Sequence, residues 1–189
     1  MFKYKSLHTE RNWFSALFSI MSRTVSDKAS GEPVLFFKQT FGFSIYVFAD
    51  KNRSNMILEA KYKKGTLYAW DVHDAGKKLL ATVKSDLWGT AKMWGAEVMK
   101  ITDASGKEIM FLEREKRTVV KHIIDNMSDI YNPVHNYQIL NSKKEVIADI
   151  KSKHGIFKSF YDFECNGGTE EEKQLALSVF AIMTLMLKK

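Results

Sequence analysis

The sequence predicts a mainly β protein: a closed antiparallel barrel around a buried hydrophobic C-terminal α-helix, with a short N-terminal helix added. Three observations predict it. The chain ends in a helix that is apolar on every face, so something must surround it. A strand–turn–strand pattern recurs through the middle of the chain. The residues ahead of the helix supply roughly ten to twelve strands with their turns, and a barrel wide enough to house a helix about 10 Å across needs more than eight.

The terminal helix is the clearest element. Thr169 with Glu172 three residues later reads as a capping box, and Glu170, Glu171 and Glu172 lie where the helix dipole favours negative charge. Lys188 and Lys189 stand at the opposite pole, and between them only Ser178 and Thr184 interrupt the apolar run Leu175 to Leu187. Those thirteen residues span about 20 Å at ~1.5 Å each, short of the ~30 Å hydrocarbon core of a bilayer. The surround is therefore the protein itself.

In chain order, Phe2 to Leu7 alternates apolar and polar as a half-buried first strand. Phe14, Leu17, Phe18 and Met21 then recur at helical spacing, with Trp13 alongside: a short amphipathic helix packed on the barrel, with membrane dipping as its other use. Ser22 to Pro33 is polar and turn-rich and reads as a loop. Val34–Lys38, Phe43–Ala49, Met56–Lys63 and Leu67–Val72 are strands, with Gly65 permitting a tight turn before the last. The repeated hairpins are WDVHDAGKKLLATVK from Trp70, VMKITDASGKEIMFL from Val98 and YQILNSKKEVIADIK from Tyr137, with Phe43 to Lys61 a looser copy. Asp74-Ala75-Gly76 and Asp103 to Gly106 supply the turn chemistry. Leu87–Gly95 and Thr118–Ile124 read as further strands, Asp125–Asn136 as a loop, and Ile156–Cys165 as the last strand before the Asn166-Gly167-Gly168 turn. All of this fits one domain over 1–189, with 169–188 as its central helix.

The single cysteine, Cys165, excludes an intramolecular disulfide and suits a reducing, cytoplasmic compartment. The net charge is +7, and with five arginines among the 29 cations the balance is almost all lysine. Lysine is a hydrated point charge without arginine's bidentate fork. The charge therefore suits diffuse attraction to a polyanion, a membrane surface more readily than a nucleic-acid sequence. Lysines scattered over strands also oppose aggregation.

No GxSxG, HExxH, P-loop or paired-cysteine spacing occurs, so neither a catalytic set, a metal site nor a cofactor is expected. His73 and Asp74 read as solvated turn residues, and Cys165 as a small buried hydrophobe.

The order of parts resembles the tubby C-terminal-like superfamily, which includes tubby domains, phospholipid scramblases and plant LURP-one-related proteins. The resemblance rests on the three hairpins, SFYDFEC and the end helix EEKQLALSVFAIMTLML, and covers roughly Val34 to Leu187. It implies a twelve-stranded barrel on a hydrophobic helix. Tubby domains bind phosphoinositides at the inner membrane leaflet, although their basic site does not align residue by residue here. Scramblases add a proline-rich N-terminus, a cysteine cluster and an acidic calcium segment. This chain has two prolines and one cysteine. LURP-one-related proteins have no agreed activity.

The densest basic stretches are the candidate lipid-binding residues: Lys61, Lys63 and Lys64, and Arg114, Lys116 and Arg117. Alternation puts Lys61 and Lys63 on one strand face, and Arg114 and Lys116 on another. The expected function is non-enzymatic, peripheral association with anionic membrane lipids, phosphoinositides among them, from the cytoplasmic side. A protein-interaction barrel and a scramblase-like protein are the alternatives.

Overall fold

The computed structural model describes residues 2–12, 22–66, 68–85, 99–114, 134–154 and 158–186. Within them the chain forms twelve strands: β1 (Ser6–Asn12), β2 (Ser22–Asp27), β3 (Pro33–Gln39), β4 (Ile45–Phe48), β5 (Met56–Tyr62), β6 (Ala69–Asp74), β7 (Leu79–Ser85), β8 (Met99–Thr102), β9 (Glu108–Arg114), β10 (Val134–Asn141), β11 (Val146–His154) and β12 (Lys158–Cys165). One helix follows, α1 (Glu170–Met186). Each strand pairs antiparallel with its neighbours in sequence, and β1 closes the barrel against β12, from Ser6 opposite Glu164 to Asn12 opposite Lys158.

Helix α1 fills the barrel. Every residue from Leu175 to Leu185 is buried. Phe180 packs edge-on to Phe37, ring centroids 5.9 Å apart, and lies 5.2 Å from Phe163. The two polar interruptions are satisfied by the helix itself: Ser178 Oγ donates to Leu175 O (2.7 Å) and Thr184 Oγ1 to Ala181 O (3.1 Å). The capping box is present, with Glu172 N donating to Thr169 Oγ1 (3.2 Å) and Thr169 N to Glu172 Oε2 (2.7 Å). Gly168 before it has φ 88°, and a Cβ there would lie 2.8 Å from Ile147 Cδ1, so only glycine fits.

The repeated hairpins share one turn. Asp74, Asp103 and Asn141 each end a strand and accept, through Oδ1, the N–H four residues on, of Lys78, Lys107 and Glu145 (2.9–3.0 Å). The third residue after each sits in the left-handed region: Lys77, Gly106 and Lys144. The looser copy follows suit, since Asp50 Oδ1 accepts from Ser54 N (3.1 Å) and Arg53 has φ 60°. A register shift marks each of these ladders next to its turn, as a type I turn with a bulge requires. In the first copy the left-handed residue is Lys77 (φ 64°), one position after Gly76.

Three boundaries differ most from expectation, while β4 and β6 move by up to two residues, to Ile45–Phe48 and Ala69–Asp74. Ser22–Asp27 is a strand and not part of a loop: Arg23 and Val25 face inward, so the alternation is real but hidden by polar composition. The first strand is Ser6–Asn12, because hydrogen-bond partners on β12 begin at Ser6. Phe2 and Tyr4 still pack against the core. β10 begins at Val134, inside the expected 125–136 loop, where Val134 meets Lys153. The N-terminal helix over Trp13–Met21 and the strands over Leu87–Gly95 and Thr118–Ile124 lie outside the described residues.

Candidate functional site

Odd-numbered strands of this barrel run one way and even-numbered strands the other. The ends of β5 and β9 therefore lie at the same end of the barrel as the starts of β6, β8 and β10. That end, here called upper, carries Lys61, Lys63, Lys64 and Arg114 of the residues expected to bind lipid.

Leu58 and Ala60 face the core, so Lys61 faces out, and it is exposed. Lys63 and Lys64 follow just beyond the strand, both exposed. Register then adds two lysines that sequence spacing does not bring together. Lys63 N donates to Ala69 O (2.9 Å), Ala69 lies opposite Lys84, and Lys84 lies opposite Lys100. The inward row beside them is Tyr62, Trp70, Val83 and Ile101, so Lys63, Lys84 and Lys100 share the outer wall. Strands sit ~4.8 Å apart, which places Lys63 and Lys84 about 10 Å from each other. Asp71 is the acid among them: its Oδ1 lies 3.2 Å from Lys63 Nζ and accepts from Thr82 Oγ1 at 2.7 Å. Lys100 Nζ reaches Glu108 Oε2 at 3.5 Å.

Arg114 belongs elsewhere. Met110 and Leu112 on β9 face in, and by the same alternation so does Arg114. Its guanidinium hydrogen-bonds His135 Nδ1. His135 lies opposite Ser152, Ser152 opposite Tyr161 and Tyr161 opposite Thr9, all buried. Arg114 thus joins a polar belt inside the wall and leaves the outer basic face. Lys116 and Arg117 lie outside the described residues.

Beside the lysines the upper end is aromatic. The β3–β4 turn closes through Thr40 N to Ser44 O (2.9 Å) and Phe43 N to Thr40 O (3.0 Å). Phe43 packs on Tyr62 and Tyr62 on Trp70, with ring centroids 5.5 and 5.7 Å apart. Trp70 Nε1 donates to Phe43 O (3.1 Å), and Tyr62 OH to Thr66 O (2.9 Å). These contacts hold Phe41 90% exposed, with Phe43 at 47% and Tyr68 at 53%. The signal for this feature in the sequence is Phe41-Gly42-Phe43, two aromatic residues about a glycine between strands.

A groove of about 400 Å³ lies on the other side of the barrel, lined by Lys28, Asp149, Lys151, Asp162 and Glu164 among others. Its charges answer one another. Lys28 Nζ lies 2.8 Å from Glu164 and 3.5 Å from Asp162, and Glu164 holds the Lys28 ammonium above its ordinary pKa. Asp162 also meets His8 Nδ1 at 2.6 Å. Among the described residues no group of three or more His, Cys, Asp or Glu could hold a metal ion. His73 lies in β6 and not in the turn, its Nδ1 buried. Cys165 is half-buried, and burial pushes its thiol pKa up, away from nucleophilic use.

The fold defines the class: a closed twelve-stranded antiparallel barrel built on its own C-terminal helix. The family model of the Tubby C-terminal like domain matches residues 96–178, from just ahead of β8 into α1, and over that stretch the chain shows its likeness to the tubby C-terminal-like superfamily. Comparison with curated proteins and with solved structures found no match. Lys100 and Arg114 lie inside the matched stretch, whereas Lys61, Lys63, Lys64 and Lys84 precede it. Among the described residues no helix is long and apolar enough to cross a membrane.

Proposed function

We propose that this protein is a non-enzymatic, peripheral lipid-interacting module that associates with anionic membrane lipids through its upper end, on the cytoplasmic side. The observation that carries this reading is the lysine group Lys61, Lys63, Lys64, Lys84 and Lys100, gathered at the outer wall of β5 to β8, where Lys63 meets Asp71 and Lys100 meets Glu108. Each near-surface cation contributes about 1 kcal/mol toward an anionic leaflet, so the group is worth several kcal/mol at low ionic strength. The attraction fades within a Debye length of ~8–10 Å. Phosphoinositides concentrate the most charge per headgroup and are the favoured class. Flotation with phosphatidylserine or phosphoinositide vesicles tests the reading: binding at low salt that falls at high salt is expected. No binding to any anionic vesicle at low salt rejects it.

A protein-interaction barrel is the second reading, and the exposed ring of Phe41 favours it, since such rings also anchor protein interfaces. A stoichiometric protein partner from a pull-down, with vesicles ignored, would decide for it.

A further inference from the structure

We infer that the β3–β4 turn is a membrane wedge: Phe41 enters the interfacial layer of an anionic bilayer, with Phe43 and Tyr68 at headgroup level. The barrel then stands on its upper end and does not lie on its side. This rests on the lipid-binding reading above and adds to it an apolar contact, an orientation and a named residue.

A phenylalanine 90% exposed at a turn tip keeps a large apolar area in water. Isolated exposed apolar residues are common, but Phe43 two residues on is half exposed, and a chain of ring contacts through Tyr62 and Trp70 joins it to the half-exposed Tyr68. The patch is also held firm. The Thr40–Ser44 turn is pinned by Trp70 Nε1 on Phe43 O, and Tyr62 N donates to Ser44 Oγ at 3.3 Å. A rigid aromatic tip loses little conformational entropy on insertion.

Charge decides the occupant. The rings stand next to Lys61, Lys63 and Lys64, since Tyr62 of the aromatic stack lies between Lys61 and Lys63 in the chain, and Tyr68 shares the β5–β6 connection with Lys63 and Lys64. Apolar rings beside exposed lysines match an anionic interface: rings enter the acyl boundary to a depth of ~5–10 Å while ammonium groups meet phosphates. Tyr68 carries an amphipathic ring suited to headgroup level.

The experiment places an environment-sensitive fluorophore next to the tip while keeping Phe41. Gly42 has no left-handed φ, and a Cβ there lies 3.9 Å from its nearest neighbour, Thr40 Oγ1, so Gly42→Cys is accommodated. In a Cys165→Ser background, an NBD label at Gly42→Cys should shift to the blue with phosphatidylserine vesicles and be quenched by nitroxide-bearing lipids. The same label at Lys51→Cys, on the exposed β4–β5 turn of the opposite end, should do neither. Phe41→Ser should melt like the parent yet bind about tenfold more weakly at high salt, where insertion outlasts the screened charges. Vesicles that carry the protein in flotation while the label at residue 42 stays water-like, or Phe41→Ser binding as the parent does, would overturn the wedge and leave lipid binding standing. No flotation at low salt would overturn both.

Discussion

The two ends of the barrel treat their polar groups in opposite ways. At the lower end five turns close on their own first residue: Asp27, Asp50, Asp74, Asp103 and Asn141 each take backbone N–H groups onto the side chain. Those oxygens are committed to the chain, and hydrogen bonds hold the carboxyls of Asp27, Asp50 and Asp103 below their ordinary pKa. At the upper end Lys61, Lys63, Lys64 and Lys84 are exposed, and the rings of Phe41, Phe43 and Tyr68 face water. One end is occupied with holding the fold together; the other presents groups to something outside it.

The largest effect should erase the comparison altogether. Phe180→Asp places an unpaired charge between Phe37 and Phe163, costing several kcal/mol against a total of ~5–15, and truncation after Gly168 removes the core. Both should yield insoluble or non-cooperative protein by calorimetry. A truncated chain that stays monomeric and melts like the parent would show α1 to be an appendage. Next, Asn141→Ala removes the acceptor for Lys143 N and Glu145 N. It should cost about 1–3 kcal/mol in denaturant titration while leaving vesicle binding unchanged. Lys84→Gln is the mirror case: unchanged melting, with vesicle affinity down about fivefold, since ~1 kcal/mol is lost with one near-surface cation. Lys77→Gly relieves a left-handed lysine at φ 64° and should stabilise by up to ~1 kcal/mol.

The smallest effect is acid sensitivity. Asp27, Asp50 and Asp103 are depressed below 3.8 when folded, so their stabilising share is present above about pH 4 and lost as pH falls through the folded values. The melting temperature should drop below pH 4, and less so in Asp103→Asn. A profile equally steep in that variant would assign the acid sensitivity to other carboxyls.

Local chemistry was legible in the sequence and register was not. The capping box, the uniformly apolar helix and the hairpin spacing are statements about residues a few positions apart, and the structure bears them out. β2 was missed because Arg23 takes an inward position usually apolar, so composition spoke louder than period. Lys84 and Lys100 could not be read together, because sixteen residues separate partners that only the β7–β8 ladder joins. Arg114 was placed on the outer face, but alternation from Met110 turns it inward, where His135 awaits it.

The helix at the centre of the barrel follows all twelve strands of its wall in chain order. Ser6 must wait for Glu164 before the wall can close, and the wall has nothing to close upon until residues 175 to 185 emerge. The nascent chain therefore exposes half-finished sheet until the helix emerges, and unpaired edges of that kind are prone to aggregate. At synthesis rates of ~5–20 residues per second, many seconds separate Ser6 from its partner Glu164, and through that interval β1 stands beside an open wall.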